Sequence, residues 1–238
     1  TLTYWFDGQQ VGQLNQDIIA NYLGGSQYAY LGFTAGTGGA HNLQEVHLNS
    51  LTGWFVRLTG AVIQTDTNSF GSTSLMELAN SAYFISTASA DRLLLYAGAL
   101  VTAGEFDTWV PIGAVQTASG YDVAWKIPGA NEYTVWSTDS NGNYLANIIG
   151  VVPGNVYALE SIETTFNQDL NGDGTIGLTK TVLQSDTNSF GLTRLTAVAD
   201  EYFLYNASGS GPALQYAGAP VTAGEFDTWV PIGAVQTA

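Results

Sequence analysis

YAGALVTAGEFDTWVPIGAVQTA, residues 96–118, returns at residues 216–238 with one change, Leu100 to Pro220. A near-verbatim block of that length does not arise by chance, so the chain is built from a repeated module. Working outward, the same offset links DTNSFG at 66–71 to the same six letters at 186–191. Between these anchors the copies drift. Tyr83-Phe84 answers Tyr202-Phe203 one residue out of step, an insertion compensated within tolerant loops. The second copy reaches Ala238 without a counterpart of anything after Ala118, and the chain starts without Met in a strand-like stretch. The expectation is a piece of a longer repetitive protein, with neighbouring repeats of the parent chain as partners. It divides into 1–51, a complete copy over 52–178, and a truncated copy over 179–238.

Composition narrows the class. At 238 residues and 45% hydrophobic, the chain can bury a sizeable core. Only 11% of residues are charged while aromatics reach 12%, a mixture suited to β-rich domains with short turns. Twenty acids face five bases (Arg57, Arg92, Lys126, Lys180 and Arg194), for a net charge of −15. Such a surface repels nucleic acid and anionic lipid, which need basic contacts, and tolerates cations or neutral ligands such as sugars. With no cysteine there is no thiol nucleophile, zinc–thiolate site or disulfide. No apolar run reaches the roughly 18–20 residues of a membrane span, so membrane insertion is not expected.

In the first zone, TLTYWFDG alternates like a strand and ends in an Asp-Gly turn. Residues 15–23 read as a short helix capped by Asn15 or Asp17 and stopped by Gly24-Gly25. YAYLGFTAG follows as an aromatic strand, TGGAHN as a glycine-rich loop, and LQEVHL alternates again. The stretch YLGGSQYAYLGFTAGTGGAHNLQEV, residues 22–46, resembles the C-terminal part of bacterial L-type (legume-like) lectins. That resemblance implies a partial jelly-roll sandwich whose loop forms one wall of a shallow sugar site. The carbohydrate-binding candidates it carries over are Gly38, Gly39, Ala40 and Asn42. The family's sugar-holding Asp and Asn and its paired metal ligands would lie upstream of this chain. A plain β-turn loop closing a sandwich edge is the alternative.

The complete copy begins with short strands such as GAVIQT, AYFIS and RLLLYAG. Its second half reads as a meander: YDVAWKI, a Pro128-Gly129 turn, YTVWST, a loop at 139–143 containing Asn141-Gly142, then YLANII. Tyr121, Val123, Trp125 and Ile127 share one strand face. A short helix is expected in NVYALESIETTF, with Leu159, Ile162 and Phe166 at helical spacing after Pro153-Gly154. The pattern W-x-PIGA-x-QTASGYDVAWK…YTVW-x-TDSNGNYL…LE-x-x-ETTF-x-QDLNGDGTIG resembles the tryptophan-rich C-terminal repeat of large bacterial surface and secreted proteins, over nearly all of 60–178. The resemblance implies an extracellular or cell-surface location and repetition rather than an activity.

Among motifs that carry chemistry, DLNGDGTIG at 169–177 stands out. Asp169, Asn171 and Asp173 at alternate positions, with Gly174 in the tight turn, follow the start of an EF-hand calcium loop. With the Thr175 carbonyl they offer four oxygens to a hard cation, giving Ca2+ as the expected cofactor, bound weakly at extracellular millimolar levels. Where a bidentate acid is expected at the twelfth position, Lys180 stands. Glu163 or Glu160 from the preceding helix is a candidate to complete the shell, and an Asx-rich turn without metal is the alternative.

The remaining clusters read as structural. TDSNGN and DTNSFG are turn signals. GEFDTW would set Glu105 and Asp107 on one face of a strand, the equipment of a glycosidase, but the pair recurs as Glu225 and Asp227 and lacks a third partner. His41 and His47 have no metal-binding context, and no G-x-S-x-G elbow or phosphate-loop lysine is present. The tryptophans of the copies suit either sugar stacking or each module's core, and their place among Val and Ile on alternating strands favours core. The expectation is a mainly β protein: a partial lectin-like sandwich followed by β-rich repeats, with a short helix before the calcium loop. It is expected to be non-enzymatic, with a carbohydrate or glycoconjugate as partner or a purely structural spacer role. A third alternative is a non-catalytic appendage of a secreted hydrolase.

Overall fold

The computed structural model describes residues 2–6, 9–14 and 58–237. The chain forms two compact units, Thr1–Phe55 and Val56–Ala238. In the first, β1 (Leu2–Phe6) pairs antiparallel with β2 (Gln9–Leu14), from Leu2 opposite Leu14 to Phe6 opposite Gln9. The strand expected in TLTYWF is therefore present. The expected helix at 15–23, the lectin-like strand and loop with Gly38, Gly39, Ala40 and Asn42, and both histidines lie outside the described residues.

The second unit starts with a meander of β3 (Ala61–Asn68), β4 (Gly71–Glu77), β5 (Tyr83–Thr87) and β6 (Asp91–Leu93), hydrogen-bonded in that order. A small hairpin follows, β7 (Leu95–Tyr96) with β8 (Ala99–Leu100). Then comes a second meander, β9 (Val110–Gln116), β10 (Gly120–Lys126), β11 (Tyr133–Asp139) and β12 (Tyr144–Val152). The helix α1 runs over Tyr157–Phe166, three turns as the sequence spacing predicted.

Layering follows from the period of two. On β10, Tyr121, Val123 and Trp125 point with Trp136 of β11 into a core shared with Leu75, Tyr83, Ile85 and Leu94 of the first meander and its following segment. The alternate residues Val115, Ala124, Tyr133 and Val135 point the other way, onto Leu159, Phe166 and Leu170 of the helix and its loop. Strands β9 to β11 thus form a middle layer covered on both faces, which is why β10 is buried at nearly every position. β9 also lies beside β3 and β4. Asn68 Nδ2 donates to the Gln116 carbonyl at 2.9 Å, and Gln116 N donates to Thr73 Oγ1 at 3.2 Å. Pro111 lacks an N–H, and the ladder accommodates it with a register shift at Ala124/Trp125.

The second copy repeats the first half of this design. β13 (Lys180–Asn188), β14 (Gly191–Val198) and β15 (Glu201–Tyr205) form a three-stranded meander, followed by the hairpin β16 (Gln215–Tyr216) with β17 (Ala219–Pro220). The irregularity at Val62/Gln64 in β3 recurs at Val182/Gln184 in β13. Its own small core is Leu195, Tyr202 and Val221. Residues 229–237 are not in a strand.

Candidate functional site

The helix and the loop behind it form the most heavily wired region. Val156, the N-cap of α1, has no side chain able to cap, so the first turn would be left with orphan amides. The second copy supplies the missing group: Asp200 Oδ1 accepts the Tyr157 N–H at 2.7 Å. A carboxylate there also sits at the positive end of the helix dipole. Beside it the Tyr157 ring stacks on Phe203 of β15, with centroids 5.9 Å apart and planes 23° apart. At the other end Asn167 closes the helix in the left-handed conformation, φ 51°, a role asparagine fills at low cost.

Two buried acids hold the following loop. Glu163 Oε1 accepts the N–H groups of Leu170 at 2.8 Å and Asn171 at 3.3 Å, and Oε2 accepts that of Gly177 at 2.9 Å. Glu160 Oε2 accepts both the N–H and the hydroxyl of Thr179, each at 2.7 Å. Burial pushes the Glu163 carboxyl above its ordinary range against the pull of those amides, with the Asp169 charge adding to the rise. The two acids that the sequence offered to complete a metal shell thus hold the loop, Glu163 through three backbone amides and Glu160 through Thr179.

The candidate calcium ligands do come together. Asp169 Oδ1 accepts the amides of Gly172 and Asp173, and Asp169 Oδ2 that of Gly174. Asn171 Oδ1 accepts from Asp173 N at 2.9 Å, and Asp173 Oδ1 from Thr175 N at 2.7 Å. The turn is therefore self-supporting; Asp169 Oδ1 takes two amides, while Asp169 Oδ2, Asn171 Oδ1 and Asp173 Oδ1 each take one and keep a second lone pair. Lys180 does not face the loop; its Nζ lies 5.7 Å from the centre of the Tyr205 ring. The donor set present, three Asx side chains and one carbonyl, suits a hard cation completed by water. Among the described residues no group of three or more His, Cys, Asp or Glu is arranged to hold a metal.

The other sequence candidates resolve into structure. Glu105 and Asp107 lie in a turn and not on a strand; Asp107 has φ 57°, and Glu105 Oε2 accepts the Thr102 N–H at 3.0 Å. Glu225 repeats that bond to Thr222 at 3.1 Å. Asp139 gathers the Asn141 and Asn143 amides and the Asn143 side chain, which holds its carboxyl below the ordinary range. Of the tryptophans, Trp125 is 1% and Trp136 7% exposed, with ring centroids 4.5 Å apart. They are core, not a stacking surface for sugar.

Two features had no clear signal in the sequence. One is a groove of about 440 Å3 between the β3–β4 turn and the end of the helix, with half-exposed Phe70 as its aromatic wall. Thr67, Ser69, Gln116, Thr165 and Asn167 offer it hydroxyls and amides, and no charged residue lines it. The other is a buried pair of acceptors. Asp66, 3% exposed, leaves Oδ2 without a partner, and so does Gln168 Oε1. Both oxygens flank Gly113, where a Cβ would collide with the Gln168 oxygen. Burial raises the Asp66 carboxyl to about 6, although a hydrogen bond from Gln64 pulls the other way.

No curated protein and no solved structure matches the chain. Residues 73–177, from within β4 to the end of the Asp169 loop, match the family model described as the tryptophan-rich Synechocystis species C-terminal domain, a similarity that falls within the first copy.

Proposed function

We propose that the chain is a non-catalytic, stacking module of a secreted or cell-surface repeat protein, a scaffold that sets the spacing of whatever its parent displays. The observation that carries this reading is the shared helix end. Asp200 of the second copy caps a helix of the first, and Phe203 stacks on Tyr157 beside it. A contact that satisfies a backbone group across the module boundary couples neighbours as in other linear arrays, where each repeat is stabilised by the next. A calcium ion adds to the same junction on this reading, held by Asp169, Asn171, Asp173 and the Thr175 carbonyl, with water completing the shell.

Limited proteolysis tests the coupling. In the double variant Asp200→Ala, Phe203→Ala, residues 179–237 should be cleaved about tenfold faster, the factor expected for the loss of ~1.4 kcal/mol. Equal rates in variant and parent would remove the scaffold reading. Calcium at ten times its dissociation constant should stabilise the fold by about 1.4 kcal/mol. A calorimetric titration with no uptake at millimolar calcium would remove the ion.

A second reading rests on the groove at Phe70. An exposed ring flanked by neutral amides and hydroxyls, in a chain of net charge −15, suits a neutral sugar better than any ion. Phe190 and Asn188 repeat part of this groove, but among the described residues no helix stands beside them, so sugar should bind at Phe70 and not at Phe190. Phe70→Ala should abolish the titration heat, while Phe190→Ala should leave it intact.

A further inference from the structure

The second copy bears an apolar groove of about 500 Å3 walled by Tyr202, Leu214, Tyr216, Val221, Phe226 and Trp229. Trp229 is 80% exposed and Tyr216 60%. Exposed aromatics gathered into one concave patch, unlike scattered ones, mark a surface that something covers.

What covers it is written in the first copy. The equivalent wall there is Tyr83, Leu94, Tyr96, Val101, Phe106 and Trp109, and on it lie the two indoles of the second meander. Trp125 sits 6.1 Å from Tyr83 and 6.1 Å from Phe106. Trp136 sits 5.2 Å from Phe106 and 5.8 Å from Tyr96. The second groove is already shaped for the same guests. Tyr216 meets Phe226 edge-on at 5.1 Å, as Tyr96 meets Phe106 at 5.3 Å. Ala217 and Asp227 hold the positive φ values of Ala97 and Asp107 to within about two degrees. Asn188 Nδ2 donates to the Gln236 carbonyl at 2.8 Å, the bond Asn68 makes to Gln116. Residues 230–236, whose sequence forms β9 in the first copy, run beside β13 with no strand partner.

We propose that this groove is the docking site for a three-stranded β-meander of the Gly120–Val152 type. Its two indoles pack on Tyr202, Tyr216 and Phe226, and its first strand pairs with residues 230–236. The inference deepens the stacking-module reading and rests on it. The thiol readout below reports cover of this face alone, whereas that reading is decided at Asp200.

Because the chain has no cysteine, a single Ala234→Cys substitution gives a unique thiol at a partly exposed position beside Tyr202, whose counterpart Ala114 is fully buried in the core that holds both indoles. The test compares this variant with the same chain carrying a second copy of residues 119–178 after Ala238. Labelling by a thiol reagent should slow at least tenfold in the longer chain. It should return to the fast rate when the added copies of Trp125 and Trp136 are both changed to alanine. Unchanged labelling in the longer chain overturns the proposal, as does equal protection without the indoles. Labelling of the shorter chain that slows as its concentration rises would make a second copy of this chain the occupant, and also overturns it.

Discussion

Residues 103–118 and 223–238 share every side chain, yet they do not share a structure. In the first copy Val110–Gln116 is strand β9, paired along its length with β10; in the second the same letters lie outside any strand, and Trp229 is 80% exposed. What survives the change of surroundings is local. The Glu-to-backbone cap, the positive φ at Asp107 and Asp227, the edge-on aromatic pair and the Asn–Gln tether appear in both. What fails is the strand, because its hydrogen bonds belong half to a partner. Turn geometry is a property of the segment, whereas strand identity is a property of the pair.

The largest test of that contrast is the indole pair. Trp125→Ala should cost about 4 kcal/mol, since a fully buried ring is lost from a packed two-sided layer. Trp229→Ala should change stability by less than about 0.5 kcal/mol. Urea denaturation of both variants checks the gap, and similar losses would mean that the second copy is packed after all. Next in size is Glu163→Gln, which removes a buried carboxylate accepting three backbone amides. A loss of about 2 kcal/mol is expected. It should also loosen the entry to β13, seen as faster amide exchange over residues 170–179.

The smallest effect depends on pH. Burial raises the Asp66 carboxyl from 3.8 to about 6, so the folded chain binds a proton more tightly than the unfolded chain. Stability from this group is therefore greatest below about pH 4 and declines until about pH 6. Asp122, raised to about 6 by burial alone, adds in the same direction. Asp66→Asn replaces one of the two unpartnered acceptors with a donor for the other, Gln168 Oε1, and should stabilise the protein at pH 7 by about 1 kcal/mol. It should also flatten the pH 4–6 slope, while Asp186→Asn in the second copy serves as control. A slope unchanged in D66N would sink the account of the buried pair.

Much of the second unit was legible because its signals are local. The alternation in YDVAWK and YTVWST, the Asn141-Gly142 turn and the helical spacing of Leu159, Ile162 and Phe166 each correspond to an observed element. The same alternation assigned the tryptophans to the core. The site was harder to read. Nothing local distinguishes Glu163 as a clamp on the loop from Glu163 as a metal ligand, because both roles ask for a carboxylate on the same helical turn. GEFDTW looked like strand because nothing in the letters reveals that Asp107 takes a positive φ. Asp200 as a cap was invisible for a simpler reason: its partner amide lies 43 residues earlier, and backbone amides leave no mark in a sequence.

That cap also puts a direction in time on the fold. A ribosome makes α1 well before it makes Asp200, so the helix emerges with its first turn unfinished and is completed by a residue of the module behind it. Each module of such an array would be closed by its successor, and assembly would run from the N-terminus with one helix end always waiting.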